Sequence, residues 1–397
     1  MLHAASGHCK VTDAVTKLIK NIEIKFMLLQ RLRCFHFKNY NTLELTFASQ
    51  LNYIIGANGA GKTNLLDAIH YLSLTKSAFN PIDAQNILHG EDALAIQGHF
   101  CKGDQHYDVQ CTVHRGQGKT VATNGKIYQK RRDHIGRFPV VLTTPYDVDL
   151  IQGKSEVRRR FFDSILCQLD STYLNTLAQY QQVLKQRNGL LRMYPAKGLP
   201  DQDLLRAYDH QLLPLGERIY EARKAFAAMF VPSLQTHYQY FVAAPEVVDL
   251  AYTSEVAHPD FEQQYRDSLP QDLAAQRTTL GVHRDDFIFT LNGHSLKKLG
   301  SQGQQKSFIL ALRLAQFACL QQVLHCKPLL LLDDVFDKLD EERLMRLVSL
   351  VAQEHFGQIW ITDAQGARSI SIMKQLRADK ALFRIDQGRL VARIQLT

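Results

Sequence analysis

The chain has 397 residues, 45% of them hydrophobic, and Lys+Arg outnumber Asp+Glu by 47 to 39, for a net charge of +8 and a pI near 9.0. This length suggests two or three domains, each able to bury a core, and no apolar run approaches the roughly 18 residues of a membrane span. The basic balance favours polyanionic partners without identifying one. The 7 cysteines are scattered without a C-x-x-C pair, so neither a disulfide framework nor a zinc site is indicated, and a reducing cytoplasm fits best.

Residues 1–26 read as an extension, disordered or ahead of the native start. Lys10, Lys17, Lys20 and Lys25 surround isolated apolar residues there, whereas Met27 opens a strand-like alternation. A secretory signal would need a continuous apolar centre and a small-residue cleavage site, and neither is present. Two strands are expected between Leu28 and Phe47, with a turn at Asn39–Asn41. Leu51–Ile55 is a short apolar run suited to a buried strand, and Asn64–Leu74 has helical spacing.

Between them lies Gly56-Ala57-Asn58-Gly59-Ala60-Gly61-Lys62-Thr63, the full G-x-x-x-x-G-K-[ST] pattern. Its glycines free backbone N–H groups to wrap a triphosphate, and the helix N-terminus adds partial positive charge beneath it. Lys62 would reach the β- and γ-phosphates of ATP, and the Thr63 hydroxyl would sit on Mg²⁺. A chance glycine-rich turn is the bland alternative, and the strand–loop–helix setting argues against it.

Further along, Leu94–Phe100, Tyr107–Val113 and Thr120–Tyr128 alternate between turn signals and predict a small antiparallel sheet. Val140–Thr143 adds a strand. Residues 27–155 thus form one nucleotide-binding lobe. From Phe162 the apolar residues Phe162, Leu166, Leu169, Tyr173, Leu177, Tyr180 and Leu184 mark one stripe on a long helix. After a turn at Tyr194–Pro200, Leu205, Tyr208, Leu212, Leu215, Ile219, Ala222, Phe226 and Met229 mark a second helix, antiparallel to the first. Pro214 should kink it, and Pro232, Pro245, Pro259 and Pro270 should break the helix that follows. Residues 156–275 therefore read as an all-helical arm.

Residues 276–397 return to the first lobe. The sheet is expected to resume at Phe287–Leu291, and Ser301-Gln302-Gly303-Gln304-Gln305-Lys306 opens the apolar helix Ser307–Leu324. Leu329–Leu332 is a continuous apolar strand ending in Asp333-Asp334, followed by a helix over Glu341–Glu354 and a strand over Gln358–Thr362. Buried parallel strands read this way, and ligands gather at their carboxyl ends. An aspartate after four apolar residues suits Mg²⁺, so Asp333 is the expected metal residue beside Thr63. Asp334 is placed to orient or deprotonate an attacking water. Two acids merely capping a strand is the competing structural reading. Ser301, Gln302, Gly303 and Gln304 form a second phosphate-reading helix start. One ATP needs one phosphate loop, so a second element suggests service to a neighbour's ATP, with the nucleotide joining a homodimer.

Taken together, these motifs resemble ABC-type ATPases of the SMC branch, and in detail the RecF family. The resemblance rests on Pro145–Asp163 (PYDVDLIQGKSEVRRRFFD), Gly281–Asp286 (GVHRDD) leading to Ser301, and Leu331–Asp340 (LLDDVFDKLD), and it spans nearly everything from Met27 onward. It implies an α/β ABC-type head with mixed sheet, split by an inserted arm of antiparallel helices. It also implies a homodimer that closes on ATP, holds duplex DNA beside a single-stranded gap, and opens after slow hydrolysis. RecO, RecR and the RecA recombinase are the implied partners, in replication and recombinational repair. Departures occur at Val148, Ser155 and Val282, and at Asp337-Lys338, in the loop expected to cross the dimer interface. Thr362-Asp363 occupies the switch position where transporter ATPases carry histidine.

DNA binding would rest on phosphate neutralisation, for which Lys38, Lys76, Arg131 and Arg132 are candidates. For each, ordinary solvated charge is the alternative. Among Arg158, Arg159 and Arg160 at least one should brace the arm, and His283, Arg284 and Asp285 should tie lobes together. The other functional class compatible with a phosphate loop is the nucleotide-binding subunit of a membrane transporter. The helical insertion, the S-Q-G-Q in place of L-S-G-G-Q, and the missing switch histidine count against it.

Overall fold

A computed structural model describes residues 25–193, 201–242, 245–334, 356–364 and 377–396, together with positions 343, 345, 346 and 350. The extension before residue 25, the turn at 194–200, most of the 341–354 helix and the 337–340 loop lie outside the described residues.

The core is a six-stranded sheet built from both ends of the chain. Its strands are β3 (Leu51–Ile55), β8 (Val140–Thr143), β12 (Leu329–Leu332), β13 (Ile359–Asp363), β14 (Lys380–Asp386) and β15 (Arg389–Leu396), in the order β15-β14-β3-β13-β12-β8. All neighbours are parallel except the terminal β14–β15 hairpin. Both faces are covered, which explains the unbroken LLLL of β12. Leu329 and Leu331 enter one apolar core, while Leu330 and Leu332 enter the other.

The first of these cores lies beneath a six-stranded antiparallel sheet. It contains β1 (Met27–Phe37), β2 (Tyr40–Thr46), β4 (Ala93–Lys102), β5 (Gln105–His114), β6 (Gly118–Thr123) and β7 (Lys126–Ile127), in the order β2-β1-β4-β5-β6-β7. Helix α1 (Lys62–Leu74) fills the space between the sheets, and 11 of its 13 residues are buried. The second core is roofed by helices α2 (Ser155–Leu169), α3 (Ser171–Met193), α4 (Gln202–Phe241) and α5 (Gln302–Leu324). By length and composition α5 could cross a membrane. Here it is a central helix, with Phe308, Ala311, Leu312, Ala315 and Leu320 fully enclosed.

Several expectations are corrected. The long helix read from Phe162 to Leu184 is two helices, because Asp170 adopts an extended conformation and its carboxylate accepts from the Thr172 N–H, starting a new helix. Pro232 does not end its helix: α4 runs 40 residues with Pro214 and Pro232 both inside, about 60 Å at 1.5 Å per residue. Its buried stripe ends on Phe230, Leu234, Tyr238 and Phe241, leaving Met229 exposed. The insertion is not wholly helical. β9 (Val248–Thr253) pairs with β10 (Asp286–Leu291), which pairs in turn with β11 (His294–Ser295). The strand at 286–291 therefore belongs to this separate three-stranded sheet and does not resume the core. The β14–β15 hairpin was not anticipated.

Buried arginines fasten the helices to this small sheet. Arg223 of α4 donates to Asp163 of α2 at 2.9 Å, to Asp285 at 2.8 Å and to the Val282 carbonyl at 2.7 Å. Arg187 of α3 bridges Asp209 and Asp272 at 2.7 and 2.6 Å. Of the arginine triplet, Arg158 grips Asp286 with two hydrogen bonds and Arg159 reaches the Asp285 carbonyl, while Arg160 stays exposed beside Glu156. His283 accepts the Tyr180 hydroxyl and bonds the Thr278 carbonyl. The expected bracing is made by Arg158, Arg159, His283 and Asp285, whereas Arg284 is exposed.

Removing one member of such a network leaves buried charges uncompensated, at a cost of about 3–5 kcal/mol. Arg223→Met should therefore lower the unfolding free energy from urea titration by that amount, moving the midpoint down with it, whereas Arg160→Ala should leave both unchanged. Equal midpoints for the two variants would show that the Arg223 network does not hold the helices.

Candidate functional site

The phosphate loop leaves β3 and enters α1 through Gly61, whose φ of 119° places it in the region that disfavours side chains. Two distant segments clamp it. From the β1–β2 turn, the Asn39 amide donates to the Ala60 carbonyl at 3.2 Å and the Tyr40 hydroxyl donates to the Gly61 carbonyl at 2.7 Å. From the β14–β15 hairpin, the Gly388 N–H donates to the same Ala60 carbonyl at 2.9 Å. The packing is tight enough that a Cβ on Gly56 would lie 2.2 Å from the Ile385 carbonyl oxygen. Asn39, Tyr40 and Gly388 were missed from sequence, since nothing local marks them as neighbours of residue 60.

Because β3, β13 and β12 are adjacent and parallel, their carboxyl ends converge. The Thr63 hydroxyl lies 2.9 Å from both oxygens of the Asp333 carboxylate. Lys62 Nζ donates to the Gly56 and Ala57 carbonyls at 2.9 and 3.2 Å, holding its ammonium over the loop. Asp333 is 2% exposed. Burial pushes its carboxyl above the usual carboxylate range, opposed by hydrogen bonds from Thr362 and Thr63. A hydroxyl and a buried carboxylate side by side are hard oxygen donors that suit Mg²⁺. Asp334 follows in a left-handed conformation, φ 45°, uncommon for a non-glycine residue.

Asp333 and Asp334 border a cleft of about 460 Å³ whose other walls include Thr144, Gln152, Gln302, Gln305 and Lys306. The start of α5 thus faces the carboxylate pair. Ser301 caps α5: its hydroxyl accepts the Gln304 N–H at 3.2 Å, and the Gln304 side chain accepts the Ser301 N–H at 2.8 Å. Ser301 and Gln302 are exposed, and Gly303 and Gln304 are half-buried. No hydrogen bond joins Ser301–Gln304 to residues 56–63.

At the switch position, Thr362 turns its hydroxyl back onto Asp333 at 2.8 Å, and the Asp363 carboxylate accepts the Tyr53 hydroxyl. Both residues are buried. Neither is a free polar tip of the kind a switch histidine presents.

The basic candidates divide. Lys38 departs from its expected role: its ammonium is 2.6 Å from the fully buried Asp67 and largely covered. Lys76 and Arg131 are exposed and Arg132 is half-buried. The Arg131–His134 turn sits on the C-terminal end of α1, and Lys76 follows that helix end in the chain. His134 Nε2 donates to the Leu72 carbonyl at 2.7 Å. That end carries the negative pole of the helix dipole, which favours cations. Lys130 and Arg137 flank this turn in the chain, and the Arg137 guanidinium lies 5.9 and 5.8 Å from the ring centres of Tyr107 and Tyr128. The sequence signal for these basic residues is the run Lys130-Arg131-Arg132 with Arg137 beyond it.

A phosphate loop, a strand ending in paired aspartates, and a serine-capped helix on one split sheet define an ABC-type ATPase head with a helical insertion. The family profile of the RecF/RecN/SMC N terminal domain matches residues 28–377. The DNA replication and repair protein RecF of Flavobacterium johnsoniae is 42% identical over 90% of this chain and 100% of its own length, and that of Cytophaga hutchinsonii is 41% identical over 92% and 96%. The solved structure of the recombination mediator protein RecF with ATP, of the RecFOR pathway, superposes with a TM-score of 0.82 at 26% identity, covering 94% of this chain and 98% of that one. The chain belongs to the RecF family of DNA replication and repair proteins. That membership sets the transporter reading aside.

The β14–β15 clamp can be tested on its own. A Cβ on Gly388 would lie 2.3 Å from the Asn39 carbonyl oxygen, so Gly388→Ala should weaken binding of a fluorescent ATP analogue by roughly 10-fold, about 1.4 kcal/mol. Gly90→Ala is the control, being at positive φ with open space around it. Unchanged affinity in Gly388→Ala would show that the hairpin does not shape the loop.

Proposed function

We propose that the chain binds Mg²⁺-ATP at the junction of Lys62–Thr63 with Asp333–Asp334, and that ATP joins two copies into a clamp on DNA. The observation that carries the reading is the 2.9 Å contact between Thr63 and Asp333, which unites the phosphate loop with the carboxylate strand. Backbone N–H groups of residues 56–63 and the α1 N-terminus would cradle the phosphates, with Lys62 at the β- and γ-phosphates. Thr63 and Asp333 would hold the Mg²⁺, which when bound supplies charge neutralisation at the β- and γ-oxygens. Asp334 orients a water for in-line attack on the γ-phosphorus and draws off its proton. The bond to the β-phosphate oxygen breaks, and ADP and phosphate leave. An aspartate reaches less far than a glutamate would, which suits slow hydrolysis used as a switch.

Ser301, Gln302, Gly303 and Gln304 would read the γ-phosphate of a second copy's ATP. The support is the exposed, pre-formed cap of α5 and its lack of hydrogen bonds to its own phosphate loop. The DNA surface comprises Lys76, Lys130, Arg131, Arg132 and Arg137, which serve duplex DNA beside a single-stranded gap by neutralising phosphates. Loading of RecA with RecO and RecR follows from the family. A cytoplasmic setting fits, since the cysteines among the described residues are free thiols, mostly buried.

Light scattering tests the dimer. Asp334→Asn, which slows hydrolysis, should double in mass only with ATP, and Ser301→Arg should stay monomeric. A mass that never changes while ATP binds would overturn the clamp. For DNA, salt titration should show a linear fall of log K with log salt, with the slope reduced by about 0.9 for each phosphate contact removed. Combined Arg131→Ala and Arg132→Ala should flatten that slope, and Lys38→Ala should not. The opposite pattern would move the DNA surface elsewhere.

A further inference from the structure

Thr362 lies on β13, opposite Ile54 of the strand that feeds the phosphate loop, and is fully buried. Its single hydroxyl makes two contacts to consecutive residues of the neighbouring strand end. It donates to Asp333 Oδ1 at 2.8 Å and accepts the Asp334 backbone N–H at 2.9 Å. One proton and one lone pair are thereby used, and the 3.5 Å approach to Asp334 Oδ1 is too long to compete for that proton.

The second contact bears on backbone shape. Asp334 has φ 45°, a conformation that costs an L-residue roughly 1–2 kcal/mol. An aspartate directly after a strand would ordinarily continue extended. Instead the chain turns there, and the Asp334 N–H is directed onto Thr362. The turn brings the Asp334 side chain to the cleft shared with Gln302 and Gln305. Strain of this kind persists only where surrounding contacts hold it, and the Thr362 hydroxyl is the side-chain contact on the Asp334 N–H.

We propose that Thr362 is a positioning residue for ATP hydrolysis: its hydroxyl fixes the orientation of the Asp333 carboxylate and the left-handed turn at Asp334, and so the spacing between the metal-binding acid and the water-orienting acid. Its hydroxyl acts through Asp333 and Asp334, to which its two short hydrogen bonds go. The role replaces that of a γ-phosphate switch for this residue. The inference rests on the proposal that Asp333 and Asp334 serve one ATPase site.

Because the hydrogen bonds of the Thr362 hydroxyl go to Asp333 and Asp334 and not to residues 56–63, it should matter to turnover and not to nucleotide capture. Thr362→Val keeps the branched shape and removes the hydroxyl. Thr362→Ser keeps the hydroxyl and removes the methyl. Steady-state ATPase rates should show kcat lowered by roughly 10²-fold in Thr362→Val, the scale of a small misplacement of catalytic groups, with the Kd of a fluorescent ATP analogue within about twofold of wild type. Thr362→Ser should restore kcat to near the wild-type value.

Thr362→Ala takes the place of Thr362→Val if thermal melting shows that valine is not tolerated. A valine or alanine variant with wild-type kcat, or a serine variant as slow as valine, would overturn the proposal. So would a loss confined to nucleotide affinity. A wild-type protein that binds ATP but never hydrolyses it would instead overturn the ATPase reading on which the inference stands.

Discussion

Everything at the site depends on one meeting between the chain's two halves, the hydrogen bond from the Thr63 hydroxyl to the Asp333 carboxylate at 2.9 Å. The two residues are 270 positions apart, so no local preference could bring them together. The parallel order β3-β13-β12 does so, since it places the carboxyl ends of three strands side by side. Thr63 comes from the loop after β3, Thr362 from the end of β13, and Asp333 and Asp334 from the end of β12. A buried carboxylate needs hydrogen bonds or a cation to remain charged. Asp333 receives hydroxyl donors from both sides, and this geometry leaves it suited to a metal.

The helices between the two halves are attached by charge as well as by apolar packing. Arg223 and Arg187 are each almost wholly buried against two aspartates, which sets the register of α2, α3 and α4 against the GVHRDD turn. Buried ion pairs favour a single arrangement more than they add net stability. The consequence reaches the start of α5. The Gln304 side chain also donates to Glu246 at 2.8 Å, and Glu246 accepts the hydroxyl of Tyr238 near the end of α4. The serine cap of α5 is therefore mechanically continuous with the long helix.

Much of this was legible in the sequence where the determinants are local. The phosphate loop needs eight consecutive residues, the LLLLDD strand end needs six, and the serine cap needs four, so each could be recognised without knowing its neighbours. Features set by long-range contacts were not legible. The clamp on Ala60 comes from Asn39 and Gly388, and the conformation of Asp334 is held by Thr362. The break at Asp170 was hidden because the apolar spacing continues across it. β9 was read as helix because its partner strand lies beyond two intervening helices. Lys38 looked like free charge because the acid that binds it, Asp67, is on the buried side of α1.

If ATP joins two heads, the α5 cap of one copy must come to rest beside the phosphate loop of another. The Gln387 tip of the β14–β15 hairpin is exposed and adjoins that loop, and Leu299 is exposed just before the cap. The most direct measurement mixes a Gln387→Cys chain with a Leu299→Cys chain, applies a short bismaleimide, and identifies linked peptides by mass spectrometry. Peptides linked between residues 387 and 299 of different chains, formed with ATP and lost without it, are the predicted result. An absence of such links in ATP, or their formation without nucleotide, would contradict a shared ATP site.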